Sequence, residues 1–336
     1  MRVKVGINGM GRIGRAVLRG IVERKEPGFE VIAVNDLAPT ATIAHLLRYD
    51  STFGKWAERV EVSGDYLGIR DRSIYATQEA DPARIPWAML GVDIVIEATG
   101  RFRTRDAVGA HLRAGARKVL TTAPAAHDAT IVMGLNEDIY RPGEHHLVSA
   151  ASCTTNCAAP MAHVLHHAFG IEQGLLTTIH SYTGDQNLVD GPHEDLRRAR
   201  SAAVNMIPTS TGAARAIGEV LPELSGKLDG VAVRVPVIDA SLVDLTVRLT
   251  EKATAAQINS AFTRAADTTL KGILRTTTDP VVSCDIIGET ASCVVDLGLT
   301  RVLGDTAKVF GWYDNEWGYA QRVVDLLDLM ARTLPD

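Results

Sequence analysis

A chain of 336 residues is longer than one hydrophobic core comfortably fills, so two domains are the starting expectation. With 46% hydrophobic and 22% charged residues and a net charge of −5, it gives no ground for nucleic acid or a membrane as main partner. No apolar run reaches transmembrane length, no signal-peptide layout is visible, and four cysteines set up no disulfide framework; a reducing cytoplasm is expected.

The chain opens on an apolar strand, Val3–Asn8, that runs straight into Gly9-Met10-Gly11-Arg12-Ile13-Gly14. Arg12 to Val22 then has helical spacing. In a dinucleotide site the first glycine makes the tight turn, the second admits the pyrophosphate, and the third packs helix on strand. A second strand, Val31–Asn35, ends at Asp36, 22 residues beyond Gly14. An acid there suits the adenosine ribose hydroxyls and repels a 2′-phosphate, which points to NAD rather than NADP. Further strands are expected at Val92–Glu97, Lys118–Thr121, Thr130–Met133 and Leu147–Ser149. Helices are expected at Ala41–Leu47, Pro82–Ile85 and Arg105–Ala114. This alternation predicts an α/β fold with a Rossmann-type parallel sheet covered by helices over residues 1–150.

Next comes Ser152-Cys153-Thr154-Thr155-Asn156-Cys157, between the strand and a helix expected at Ala158–Phe169. A thiol near a helix N-terminus, among hydroxyls and backbone N–H groups, is expected to ionise more readily and to act as a nucleophile. The competing reading is a buried structural cysteine. Cys153 and Cys157 form no metal motif.

After residue 150 the texture is richer in strands: Leu175–His180, Gly230–Pro236, Ser241–Leu249, Ala291–Leu297 and Lys308–Tyr313. Helices fit Thr211–Val220, Ala255–Thr268 and Gly318–Thr333. The pattern predicts an α+β catalytic domain, 151–314, with a mixed or antiparallel sheet. The C-terminal helix, 315–336, is expected to pack back on the first domain. His180 ends a strand in a loop crowded with hydroxyl, acid and amide residues, and is the candidate base for Cys153. His145-His146 and His166-His167 are assigned to surface or packing roles. Thr183, the Thr209-Ser210-Thr211-Gly212 turn and Arg234 suit phosphate, against the plainer readings of an N-cap for Thr211 and a salt bridge for Arg234. The basic run Arg197-Arg198-Ala199-Arg200 reads as a solvated or interface segment.

Four segments together carry a resemblance over essentially the full length: 8–15, 150–157, 209–214 and 312–319. The sequence resembles the phosphorylating glyceraldehyde-3-phosphate dehydrogenases, in their bacterial and chloroplast branch. The resemblance implies that Cys153 attacks the aldehyde, that His180 takes the proton as hydride leaves for NAD, and that inorganic phosphate cleaves the thioester. It implies that Thr183 and Arg234 hold the substrate phosphate, while Ser152, Thr154, Thr211 and Gly212 hold the attacking phosphate. Arg12, Ile13, Asp36, Thr99, Thr122 and Asn315 would contact NAD beside Gly9, Gly11 and Gly14. A homotetramer is implied, with the segment from Ser181 to about Ala203 as an interface loop.

Three departures from the family pattern stand out. Val237-Ile238-Asp239-Ala240 replaces the usual Thr-x-Asn-Val before Ser241, putting an acid near the phosphate-binding Arg234. Ala80 stands where an arginine is common. The stretch Ala125-Ala126-His127-Asp128 after Pro124 is short and lacks a common lysine. The alternatives are an erythrose-4-phosphate dehydrogenase, a specialised isozyme that tolerates an inhibitor or uses arsenate, and, from another class, an NAD-binding thiol redox sensor. The intact thiol, imidazole and arginine weigh against the last of these.

Overall fold

The computed structural model describes residues 2–25, 28–123 and 125–335, so Pro124 lies outside the described residues. The chain divides into two compact units, one of residues 1–131, 138–151 and 320–336, the other of residues 132–137 and 152–319.

In the first unit the described residues form a nine-stranded sheet. Its order is Ala129–Thr130, Leu147–Ser149, Lys118–Thr121, Ile94–Glu97, Val3–Asn8, Phe29–Asn35, Arg72–Thr77, Tyr66–Ile69 and Val60–Ser63. The first seven are parallel, and the last two extend the edge as antiparallel hairpin strands. The central strands read as apolar runs because both faces are covered: Val5, Ile7, Ile94, Val95 and Ile96 are fully buried. Helix Arg12–Glu23 covers one face with Val17, Leu18, Ile21 and Val22.

The strand order reverses between Val3–Asn8 and Ile94–Glu97. The seven parallel strands all end on one register row: Thr77, Asn35, Asn8, Glu97, Thr121, Ser149 and Thr130. In open α/β sheets, the reversal at the carboxyl ends of the strands is where ligands bind.

The second unit carries an eight-stranded mixed sheet. Its path is Ile207–Ser210, Leu228–Val235, Ile171–Ser181, Ser241–Leu249, Thr306–Tyr313, Cys293–Asp296 and Leu274–Thr277, with Arg301–Leu303 paired to Thr306–Tyr313. Leu228–Val235 is parallel to Ile171–Ser181, which sets His180 beside Arg234 in register. Helix Cys153–Phe169 packs on this sheet.

Several boundaries differ from expectation. The cysteine helix begins at Cys153, not Ala158, because its first turn is polar and gives no apolar period. Pro160 lies inside it. The third expected strand in that region, Thr130–Met133, is only Ala129–Thr130. The helix expected from Thr211 begins at Ala213, with Gly212 at its N-cap.

Candidate active site

In the second unit, Ser152 caps helix Cys153–Phe169: its hydroxyl oxygen accepts the backbone N–H of Thr155 at 3.1 Å. Cys153, the first helical residue, therefore sits at the positive end of a 17-residue helix. Its Sγ is 3.6 Å from His180 Nε2. His180 Nδ1 is 2.7 Å from the carbonyl oxygen of Ser181 and 3.1 Å from Arg234 Nη1. A carbonyl only accepts, and the Arg234 nitrogen has the same carbonyl as an acceptor at 3.2 Å. The proton therefore belongs on Nδ1, which leaves the Nε2 lone pair facing the thiol.

Burial and then the Arg234 charge push the His180 pKa down to about 3, so the imidazole is neutral at pH 7. Burial pushes the Cys153 thiol up, against the pull of Arg234 and of hydrogen bonds from Thr154. Burial thus opposes the ionisation that the helix terminus favours, and an unprotonated imidazole nitrogen stands beside the thiol to take its proton. Arg234 is itself held down by burial, and its Nε is buried with no hydrogen-bond partner. A buried guanidinium with an unused donor is a receptor for an anion.

Two residues behind this pair carried no role in the sequence analysis. The hydroxyl of Tyr313 is 2.9 Å from Thr154 Oγ1 and 2.8 Å from Thr178 Oγ1. Its ring meets that of His180 edge-on at 6.0 Å. Period-two alternation along Thr306–Tyr313 turns Tyr313 inward, and the same alternation puts Thr178 on the face of His180. Thr154 thus directs its hydroxyl to Tyr313 as well as standing in the helix's first turn. Thr183 accepts the N–H of Asp185 at 3.4 Å, and Thr211 accepts that of Ala213 at 3.2 Å.

Arg198, expected in a solvated or interface run, is only 20% exposed in its side chain. It donates to Asp185 at 2.5 Å, Thr209 at 2.9 Å and the Ser210 carbonyl at 3.3 Å. Its charge reaches both His180 and Arg234. Asn315 Oδ1 accepts the hydroxyls of Ser181 at 2.9 Å and Ser241 at 2.7 Å, which leaves its Nδ2 as the donor for another group. Asp239 is fully buried, and its Oδ1 accepts the N–H of Ala240, a residue with φ of 67°.

In the first unit, a cavity of about 290 Å³ opens at the strand-order reversal, lined by Asn8, Gly9, Gly11, Asp36, Thr99 and Phe102 among others. Ala80 also lines it, so the missing arginine leaves room there. Gly9 has φ of +95°, and a Cβ on Gly14 would lie 1.9 Å from the Gly9 carbonyl oxygen. A Cβ on Gly11 would meet nothing within 4 Å, so the backbone there is open to a ligand. Asp36 Oδ2 accepts the N–H of Met10 at 2.7 Å and Oδ1 that of Ala38 at 2.9 Å, which ties the acid to the glycine turn. A carboxylate keeps further acceptor sites for ribose hydroxyls. Arg12 Nη1 is paired with Asp50 at 2.6 Å, with its guanidinium 5.6 Å from the Phe53 ring centre. Ile13 follows it at the helix start. Thr99 and Thr122 hang on Glu97, the first through the carboxylate and the second through the backbone carbonyl. An acid tied to a glycine turn, an open backbone at Gly11 and a helix N-terminus fit the ribose and pyrophosphate of a dinucleotide.

A reversed-order parallel sheet with this crevice, and a second unit holding a thiol, an imidazole and a buried arginine, define a dinucleotide-dependent oxidoreductase. The family model described as "Glyceraldehyde 3-phosphate dehydrogenase, NAD binding domain" matches residues 3–105, and that described as "Glyceraldehyde 3-phosphate dehydrogenase, C-terminal domain" matches residues 152–315. The chain belongs to the glyceraldehyde 3-phosphate dehydrogenase family. It is 54% identical to the glyceraldehyde-3-phosphate dehydrogenase of Streptomyces coelicolor, over 99% of this chain and all of that one. It is 52% identical to glyceraldehyde-3-phosphate dehydrogenase 1 of Streptomyces avermitilis, with the same coverage. Against the Geobacillus stearothermophilus enzyme it is also 52% identical, over 98% of this chain and 99% of that one. Among the described residues, no helix is long and apolar enough to cross a membrane.

Proposed function

We propose that this chain oxidises D-glyceraldehyde 3-phosphate with NAD and inorganic phosphate, giving 1,3-bisphosphoglycerate. The observation that carries the reading is the 3.6 Å approach of Cys153 Sγ to the unprotonated Nε2 of His180, with Arg234 on the other side of the imidazole. Family membership supplies the substrate.

The thiol proton passes from Cys153 to His180 Nε2 as sulfur bonds to the aldehyde carbon. The new Nε2–H and the Cys153 backbone N–H then face the developing alkoxide. Such a donor is typically worth about 3–4 kcal/mol. Protonation of the alkoxide by Nε2 completes the hemithioacetal. Nε2 takes the hydroxyl proton back as hydride leaves carbon, and the carbonyl re-forms as a thioester. NAD, when bound, supplies the hydride acceptor. A phosphate oxygen then attacks the thioester carbon, the C–S bond breaks, and His180 returns its proton to the leaving sulfur.

Thr183 and Arg234, with the charge of Arg198 beside them, hold the substrate phosphate. Ser152, Thr154, Thr211 and Gly212 receive the attacking phosphate. Gly9, Gly11, Arg12, Ile13, Gly14, Asp36, Thr99 and Thr122 hold NAD, and Asn315 Nδ2 orients the nicotinamide amide. The division of labour follows the chain, with 1–150 binding NAD and 151–314 carrying the chemistry. The protein works in the cytoplasm as a homotetramer.

The test is NADH formation from glyceraldehyde 3-phosphate with and without inorganic phosphate, beside a Cys153→Ser control. Sustained turnover that needs phosphate and disappears in the control is expected. A burst of one NADH per site would mean that phosphorolysis fails, which points to the Asp239 segment. No reduction at all would reject the substrate and turn attention to erythrose 4-phosphate.

A further inference from the structure

The polar row at the strand ends has a direction, and it runs into Glu97. Asn8 and Glu97 are register partners on the two strands between which the sheet order reverses. Glu97 is 2% exposed, yet its carboxylate accepts four donors. Oε1 takes the Thr99 backbone N–H at 2.8 Å and the Thr99 hydroxyl. Oε2 takes Asn8 Nδ2 at 2.6 Å and His111 Nε2 at 2.9 Å.

Groups that can only donate fix this direction from both flanks. On one side the Trp87 indole N–H lies 3.0 Å from His111 Nδ1, and His111 is fully buried. An indole cannot accept, so Nδ1 holds the lone pair and Nε2 carries the proton. On the other side Asn35 Oδ1 accepts the backbone N–H of Glu79 at 2.9 Å and the Thr77 hydroxyl at 2.7 Å. Asn35 Nδ2 then donates to Asn8 Oδ1 at 2.8 Å, which turns Asn8 Nδ2 toward Glu97. Asn8 Nδ2 and His111 Nε2, 3.5 Å apart, are two donors converging on one oxygen. A group that accepts at every position is an ionised carboxylate, and each of its bonds is strengthened by the dry surroundings.

We propose that Glu97 and His111 are positioning residues for the dinucleotide. The proposal rests on the reading that the crevice holds NAD. The carboxylate sets Thr99, which lies against Gly9: a Cβ on that glycine would be 2.8 Å from Thr99 N. The Glu97 carbonyl sets Thr122 through its N–H at 3.0 Å and hydroxyl at 3.3 Å. The rim of the crevice is therefore ordered before the cofactor arrives, and binding does not bear that cost.

Glu97→Gln keeps the size and breaks the direction, because one side of the amide must present a donor to donors. Its Kd for NAD, measured by titration calorimetry, is expected to rise about tenfold. KM for NAD follows, while kcat and KM for the aldehyde phosphate stay within about twofold. His111→Leu behaves likewise. His111→Gln, which both accepts from Trp87 and donates to Glu97, restores wild-type affinity. Should Glu97→Gln not fold, the two His111 variants carry the test. Unchanged NAD affinity in Glu97→Gln and His111→Leu overturns the proposal, as does an equal rise in both KM values, the mark of a merely structural role. An Asp36→Ala variant separates the failures. Weakening there without weakening in Glu97→Gln rejects this inference alone, whereas a wild-type chain that does not bind NAD rejects the cofactor reading and this one with it.

Discussion

Arg234 acts on both members of the thiol–imidazole pair in one direction. Its positive charge favours the thiolate of Cys153 and disfavours the imidazolium of His180, so it lowers both pKa values. Removing the charge must raise both. In unliganded Arg234→Gln, the midpoint of the pH profile for Cys153 alkylation by iodoacetamide is expected to move to higher pH than in the wild type. Arg234→Lys keeps the charge and leaves the midpoint near its wild-type place, but loses the planar fork and raises KM for the aldehyde phosphate. A midpoint in Arg234→Gln that stays put or moves down would show that the guanidinium does not govern the thiol. At this scale the pairing of Cys153 and His180 was legible, because Cys153 opens a helix just after a strand and His180 lies at a strand end, each among polar neighbours. Arg198 was not. Its partners Asp185, Thr209 and Ser210 come from a loop and a strand that only the folded chain brings to it, and a basic run in sequence looks the same solvated or buried. Glu97 was read only as the end of a central strand, since nothing in its own segment tells which donors converge on it.

The N-cap contact of Ser152 on helix Cys153–Phe169 can be separated from the phosphate-binding role proposed for it. As N-cap it accepts the Thr155 N–H, so Ser152→Ala should cost about 1 kcal/mol in urea unfolding. Ser152→Asp keeps an N-cap acceptor and suits the helix dipole, so its stability should match the wild type. It also puts a negative charge where an anion is to bind, so phosphate-dependent turnover should fall at least tenfold. An Asp variant that turns over normally would mean that phosphate does not use the helix terminus. The helix also shows why boundaries were harder to read than elements. Its packing period is visible only after the polar first turn, so the sequence pattern begins five residues late. Val60–Ser63, Tyr66–Ile69 and Arg72–Thr77 were not expected at all. They are short strands toward one end of the sheet with part-exposed faces, held by pairing with neighbours rather than by an apolar run of their own. By contrast Val3–Asn8, Lys118–Thr121 and Ser241–Leu249 match expectation at both ends. The first is buried from Val5 onward, the second throughout, and the third alternates buried with part-exposed residues.

At the scale of the whole molecule, the second unit leaves several large apolar side chains exposed. Leu188 is 79% and Leu196 81% exposed in the loop after Ser181, and Val204 and Met206 follow at 75% each. Leu175 and Val231 stand on neighbouring parallel strands of its sheet, also exposed. The proposed homotetramer would give these side chains a place, since a closed assembly of identical chains covers the same patch on each copy. The composition alone did not reveal it, because an apolar residue in a loop and one in a core contribute equally to the hydrophobic fraction. If copies of this chain cover the patch, the native mass by light scattering is four times the 36.1 kDa chain. Leu188→Asp combined with Met206→Asp should then break the assembly into smaller species and make the melting temperature depend on protein concentration. Met89 is as exposed, at 77%, but lies in the first unit, so Met89→Asp should leave the mass unchanged. A wild-type protein that stays at 36.1 kDa at micromolar concentration, or a double variant that keeps the full mass, would place the subunit contacts elsewhere or nowhere.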